Sequence, residues 1–427
     1  MVNYKVYIYT GEAESAGTDA HVYLKIFGTK GTLSKSNLDD PNDSDDFEAG
    51  ETNSVVIPSR QDIGDITKIT IGHDNKNKKP GWYLDGVKII NLSTRKQWNF
   101  PAYRWLAKDE GDGKTEISLV PGAEMVHYSY IGNYPKDREN GWSHECNGVC
   151  HDDRNWYFTQ NGNIWKFPVS YDLKKSCNSE DTIIGIYKNP YGHHLGDIDC
   201  YNGYLFVPVD DDGKPYIAVF PTSDIHKKVA YQTMYKGDTV FDSIGWVAIN
   251  PKDGKLFTSD GELSRNNPIM VYTIDFQAIA KGSGNFLKQY ARVYVTDEEG
   301  QYLTRGWMQG GCFDNQNHLH IINGSPYKYP QNGTLLNYSN KKGGITVYEI
   351  PPLSNGQTAY VKVRARSNQS HHFRFQFNSI GEEPEGITYW DLDGKGAPGI
   401  SGQLHAIMLD NAGKGADDLY FKHYRRI

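Results

Sequence analysis

At 427 residues the chain exceeds the ~100–200 residues of one ordinary core, so two units are expected. A formal net charge of −7, with both halves mildly acidic, excludes a polycation that grips nucleic-acid phosphates, and no apolar run approaches the ~20 residues of a membrane-crossing helix. Hydrophobic residues make up 38% and aromatics 13%, with 30 Tyr and 44 Gly, a mix that favours strands and turns over helices.

The start, MVNYKVYIYTGEA, lacks the basic, apolar and small-residue regions of a secretory signal. It reads as a soluble or peripheral chain that stays in the cytoplasm, or as one secreted behind a leader outside this sequence. From Tyr4 the chain alternates in strand fashion, then turns through GEAESAGTDA into a second run, HVYLKIFG. Further strands are expected at SVVIP, ITKITIGH, WYLDGVKIINL, QWNFPAYRWL and TEISLV, which together describe an antiparallel sandwich. Between them Asp39, Asp40, Asp43, Asp45 and Asp46 crowd one loop. Like charges so close repel unless a cation sits among them, and Ca²⁺ suits a flexible oxygen-rich loop better than Mg²⁺. A solvated acidic loop is the plain alternative. The following NKNKKPGW sets Lys76, Lys78 and Lys79 before Trp82 and Tyr83. Lysines attract anionic headgroups and Trp settles at a membrane interface, so this stretch is a candidate membrane contact, although Trp82 and Trp105 could equally be core.

The blocks AGTDAHVYL, LDDPNDSDDFEAG, HDNKNKKPGWYLDGV and FPAYRWL, in this order and spacing, resemble the PLAT domain of lipoxygenases, pancreatic-type lipases and clostridial alpha-toxin. The resemblance covers nearly all of residues 3–121, marks residues 1–121 as one domain, and implies an eight-stranded β-sandwich whose loops at one end bind calcium and touch membrane. Carried onto this chain, it points to Glu14, Gly17 through its carbonyl, Asp39, Asp40, Asp74 and Asn75 as metal ligands. Asp19 is a turn residue or an auxiliary ligand. The acidic loop is longer than the lipoxygenase pattern, which leaves open which Asp binds.

From residue 122 to 427 the pattern becomes a repeat: a Gly, an apolar strand, a polar turn, a second strand, then a strand ending in aromatic-x-apolar. The leading glycines Gly148, Gly196, Gly245, Gly310 and Gly386 recur at intervals of 48, 49, 65 and 76 residues. This spacing predicts a β-propeller of five blades, or six should 320–375 hide another, with the early EMVHYSYIG completing the last blade. The expected fold is therefore all-β.

First strands of blades line a propeller's channel, which nominates His144, Glu145, His194, Asp197, Asp199, Asp242, Gln309 and Glu385. Such a set could bind a cation or a sugar, or supply a general acid/base pair; the alternative is that it only bonds neighbouring blades. The CxxxC of Cys146 and Cys150 with His144 and His151 nearby has looser spacing than structural zinc sites use. Five Cys leave at least one thiol unpaired, so no disulfide framework is indicated. There is no GxSxG elbow, no HExxH and no phosphate-cradling GxxxxGK[ST]. The chain thus reads as a binding protein, with its PLAT-like part docking to membrane with calcium and its propeller presenting a surface to a glycan, lipid or protein. A toxin or adhesion component belongs to this class. The runner-up is a hydrolase acting in the channel on a lipid headgroup, phosphoester or sugar.

Overall fold

The computed structural model describes residues 2–11, 15–39, 46–122, 126, 128–136, 141–160, 162–175, 194–210, 214–296, 300–324, 344–366, 382–413 and 416–426. By packing, the chain divides into two compact units, Met1–His127 with Ala365–Arg374, and Tyr128–Arg364 with Phe375–Ile427. Antiparallel sheets dominate both. No helix among the described residues is long and apolar enough to cross a membrane.

The first unit is a sandwich of two four-stranded sheets. Its strands are β1 (Val2–Thr10), β2 (Val22–Gly28), β3 (Thr32–Asn37), β4 (Thr52–Ser59), β5 (Ile66–His73), β6 (Trp82–Asn91), β7 (Gln97–Leu106) and β8 (Glu116–Leu119). One sheet runs β4-β1-β6-β7 and the other β3-β2-β5-β8, all pairs antiparallel. Alternation places Tyr4, Val6 and Ile8 of β1 and Val22, Leu24 and Ile26 of β2 in one shared core. β3, TLSKSN, is the strand the hydrophobic pattern does not announce. It lies at a sheet edge with mostly polar, exposed side chains, Leu33 alone packing against the core, so pairing to β2 does more than burial to make it a strand.

The second unit is a succession of antiparallel sheets. Gly148–His151, Asn155–Thr159 and Ile164–Pro168 form the first. The second is built on Tyr204–Asp210, Tyr216–Pro221 and Ala230–Thr233, with His194–Leu195 and Asp199–Tyr201 both paired to Tyr204–Asp210. Next come Ala248–Ile249, Leu256–Thr258, Ile269–Ile274 and Leu287–Thr296, then Met308–Phe313, His318–Asn323, Gly344–Glu349 and Thr358–Arg366. Parallel pairing of Leu287–Thr296 with Thr358–Arg366 joins these two sets into one eight-stranded sheet. In the last sheet Glu382–Tyr389, Leu404–Gly413 and Ala416–Arg426 are followed by Tyr128–Asn133, taken from the start of the unit.

The five leading glycines close a ring of contacts. A methyl group at Gly148 would meet the carbonyl of Gly196, one at Gly196 the carbonyl of Gly245, and one at Gly245 the carbonyl of Met308. At Gly310 it would meet the carbonyl of Glu385, and at Gly386 the Cα of Gly148. Only a residue without a side chain permits main chains to approach this closely.

At the centre of the ring lies Asp197, fully buried, one residue after Gly196. Its Oδ1 accepts the amide of Val149 at 2.9 Å, and its Oδ2 accepts those of Gly311 at 3.0 Å and Ile387 at 3.1 Å. Each donor is also the residue after a leading glycine. The remaining repeat is tied by main chain, with Asp197 N–H donating to Gly245 and Val247 N–H donating to Asp197. Burial pushes this carboxyl well up, and the three amides act against that by favouring its charged form.

Candidate functional site

Among the described residues, two places bring together side chains that the sequence nominates for function, one in each unit. At the loop end of the sandwich, His73 closes β5 and is buried. Its Nε2 is 2.7 Å from the carbonyl of Leu106, and its Nδ1 accepts the amide of Asn75 at 3.2 Å, an arrangement that suits a neutral ring. Burial lowers its pKa accordingly. The anchored ring sets the turn that follows, in which Asn75 adopts φ +56°.

Asp74 and Asp39 meet around His21. The Asp74 Oδ1 accepts the amides of His21 at 3.2 Å and Lys76 at 3.1 Å, and Lys76 Nζ lies 3.5 Å from Oδ2. Partial desolvation raises the Asp74 pKa, but these amides and the Lys76 charge outweigh it and leave the group below its ordinary value. The Asp39 Oδ1 accepts the amide of Val22 at 2.9 Å while Oδ2 sits 2.6 Å from His21 Nδ1. Gly17 packs against the main chain of Glu48 and Ala49, and Asp19 N–H donates to the carbonyl of Lys79. Of the expected ligands, Asp39, Asp74, Asn75 and Gly17 are described; Glu14 and Asp40 lie outside the described residues, as do Asp43 and Asp45. Among the described residues no three His, Cys, Asp or Glu side chains gather as a set that could hold a metal ion. His21 and His73 escaped the sequence reading, although both flank acids that it singled out.

Lys76, Lys78 and Lys79 are exposed on this loop. Trp82 is not, which corrects its expected membrane contact. The first residue of β6 points inward, is fully buried, donates its Nε1–H to Thr10 Oγ1 at 3.0 Å and meets Phe47 edge-on at 5.7 Å. A core indole with its N–H satisfied has no reach to a bilayer. Tyr83, on the opposite face, is half-buried and packs edge-on against the half-buried Trp105 at 5.3 Å.

The second place is a cavity of about 620 Å³ within the second unit, bordered by residues just before the leading glycines. Asn147 precedes Gly148, Ile244 precedes Gly245, Gln309 precedes Gly310 and Glu385 precedes Gly386, and all four line it. Glu145 and His194, also expected at a channel, line it too. The sequence reading missed Asp210, Glu262, Glu383 and Trp307, which complete the polar wall. Glu383 was within reach, because it stands two residues before Glu385 on one strand and period-2 geometry puts both on one face. The Gln309 amide donates to Glu383 Oε1 at 3.1 Å and to Glu385 Oε1 at 3.2 Å. Trp307 follows the short pairing of Glu262–Leu263 with Arg305–Gly306, which carries Glu262 and Trp307 to the cavity together.

Four expected channel residues are placed elsewhere. Asp197 is the buried hub. Asp199 accepts the amides of Ile249 at 2.6 Å and Cys200 at 2.7 Å, a tie between neighbouring repeats. Asp242 is exposed, 3.5 Å from Lys236, and His144 is exposed outside the cavity wall. Residues after a leading glycine turn into the ring, so only those before it reach the cavity. Cys146, Cys150, Cys200 and Cys312 are free thiols, and His151 stacks on Trp390 at 4.3 Å, so the CxxxC residues do not form a metal set; Cys177, His193, His371 and His372 lie outside the described residues.

Residues 4–120 match the PLAT/LH2 domain family, so the N-terminal unit carries a PLAT domain. Human lipoxygenase homology domain-containing protein 1 is 40% identical over 129 residues, which is 30% of this chain and 6% of that protein. The mouse polycystin family receptor for egg jelly is 36% identical over 106 residues, 25% of this chain and 5% of that receptor. The chain therefore spans only a small part of these relatives. Among solved structures, Myxococcus xanthus glutaminyl cyclase covers 71% of this chain and 100% of its own at 12% identity, with a TM-score of 0.37.

Proposed function

We propose that this chain is a peripheral lipid-surface protein whose PLAT domain docks to membrane with Ca²⁺ as bridge, and whose second unit is a five-bladed β-propeller that binds a ligand in its axial cavity. The docking half is carried by one observation: Asp39 and Asp74 converge around His21 at the same end of the sandwich that exposes Lys76, Lys78 and Lys79. Carboxylate and carbonyl oxygens are the ligands a hard cation takes, and the proposed holders are Asp39, Asp74, Asn75 and the Gly17 carbonyl, together with Glu14 and Asp40 from outside the described residues. Bound calcium supplies positive charge that draws phosphate headgroups to the tip, and each nearby lysine adds about 1 kcal/mol toward an anionic surface. The propeller is supported by the closed ring of glycine contacts around Asp197 and by Tyr128–Asn133 completing the last sheet.

Co-sedimentation of the full chain with phosphatidylserine vesicles tests the docking. Binding at about 1 mM calcium that is lost in chelator and in Asp39→Asn or Asp74→Asn supports it. Equal sedimentation with and without calcium rejects it. A phosphoester hydrolase in the cavity finds no support among the described wall residues, none of which is a Lys or Arg that would receive a phosphate.

A further inference from the structure

We infer that the outer face of the β3-β2-β5-β8 sheet binds an acidic glycan, a polysaccharide bearing carboxylate or sulfate groups, through Lys25, Lys35 and Lys68. The face needs no divalent ion, so it holds or fails independently of the calcium docking proposed above. Alternation sends Val22, Leu24, Ile26, Ile69 and Ile71 into the core and leaves Tyr23, Lys25, Phe27, Lys68 and Thr70 on the other side of the same strands. The register sets Phe27 opposite Lys68 and Lys25 opposite Thr70. Ammonium groups therefore lie on rings. Lys25 Nζ is 4.8 Å and Lys68 Nζ 4.3 Å from the centre of the Phe27 ring, and Lys35 Nζ, from the edge strand, is 3.1 Å from that of Tyr23.

Charge selects an anion. The four strands hold these three lysines against one acid, Glu116, and among the described residues none of the three is ion-paired. Burial, then a hydrogen bond to Glu116, pushes the Tyr23 hydroxyl up to about 12, so that acid is already engaged at neutral pH. A ring beneath an ammonium group steadies the long side chain and leaves its charge within reach, so less freedom is lost when an anion arrives. The rest of the face selects a sugar. Thr32, Asn37, Thr70 and Ser118 offer hydroxyl and amide groups, the Thr70 and Ser118 oxygens 2.9 Å apart, and no described side chain of these strands is an exposed large hydrophobic. A bilayer contact uses interfacial Trp and Tyr, and the core of a protein interface is poor in Lys. Cations spread over three strands about 5 Å apart also suit a polymer of sparse charge better than a duplex with one charge per ~1.7 Å.

Isothermal titration of the full chain, in chelator and without vesicles, tests this apart from membrane docking. The probes are a heparin hexasaccharide, hexagalacturonate, neutral maltohexaose, hexaglutamate and a single-stranded oligonucleotide. An acidic sugar is expected to bind, less tightly as salt is added, with maltohexaose weaker by about tenfold or more. The triple substitution Lys25→Gln/Lys35→Gln/Lys68→Gln should weaken binding by about tenfold or more, whereas Lys76→Gln/Lys78→Gln/Lys79→Gln at the tip should change it by less than about twofold. An unchanged unfolding transition in the first triple separates lost contact from lost fold. No heat from either acidic sugar, equal binding of maltohexaose, an equal loss in the tip triple, or binding of hexaglutamate or the oligonucleotide as tight as that of the sugars overturns the assignment, whatever the vesicle experiment shows.

Discussion

His405 and His423 face each other through their Nδ1 atoms at 2.8 Å inside the last sheet, and each turns its Nε2 to a main-chain carbonyl, that of Trp390 or of Tyr134. Both are buried among aromatic rings, with Trp156 and Phe421 against His405. Burial lowers both pKa values, His405 well below the ordinary range with the His423 charge as second cause, and His423 to about 4. An Nδ1 pair needs one donor and one acceptor, so two imidazolium rings would set donor against donor and charge against charge.

The pH dependence follows with a definite sign. Unfolded histidines take up protons near pH 6.5, whereas the folded rings resist, so stability is full above that value and is lost as pH falls toward 4. For His423 alone the loss amounts to about 3 kcal/mol. Calorimetry between pH 7 and 4 should show the second unit's transition falling steeply. His423→Gln should flatten the decline.

Asp197→Asn should destabilise the second unit by about 3 kcal/mol, because one carboxylate oxygen becomes an NH₂ facing a buried amide of Val149 or of Gly311 and Ile387. The cost should appear in denaturant unfolding of that unit and leave the sandwich transition in place. An unchanged midpoint would contradict the hub role.

Gly196→Ala should be harsher. Its new methyl collides with the carbonyl of Gly245, which is main chain and cannot swing aside. A loss above about 4 kcal/mol, or failure to recover a folded second unit, is expected in chemical denaturation.

Within the sandwich, Trp82→Ala should lower stability by about 3–5 kcal/mol, since it empties a core site and orphans the Thr10 hydroxyl bond. Replacing Lys76, Lys78 and Lys79 together by Glu should leave the melting temperature nearly unchanged while reducing vesicle sedimentation. A reversal of these two outcomes would return Trp82 to the membrane-facing role.

Most strands of the sandwich were legible because one face is apolar and the other wet, and β3 was not because Leu33 is its one apolar residue, too few for an alternating pattern. The glycine spacing was legible in the second unit because close main-chain approach leaves a compositional trace. Side-chain direction was harder to read. Trp82 follows a lysine-rich turn and looks like a tip residue, yet the register of β6 sends it inward. Asp197 looks like a channel acid for the same reason as Glu385, and standing after rather than before the leading glycine separates hub from wall. Trp307 and Glu262 came from a two-residue ladder too short to leave any periodic signal.

The pairing of Tyr128–Asn133 with Ala416–Arg426 also sets an order of events during synthesis. A ribosome emits the first of these strands nearly three hundred residues before its neighbour, so it waits with an open hydrogen-bonding edge while the sheets between them assemble. The two sheets of the sandwich need no later strand, since β1 to β8 find all their strand partners before residue 120. Nascent chains stalled short of Ala416 would thus carry a fully paired sandwich and an unlatched second unit, the form in which chaperones and proteases would meet them.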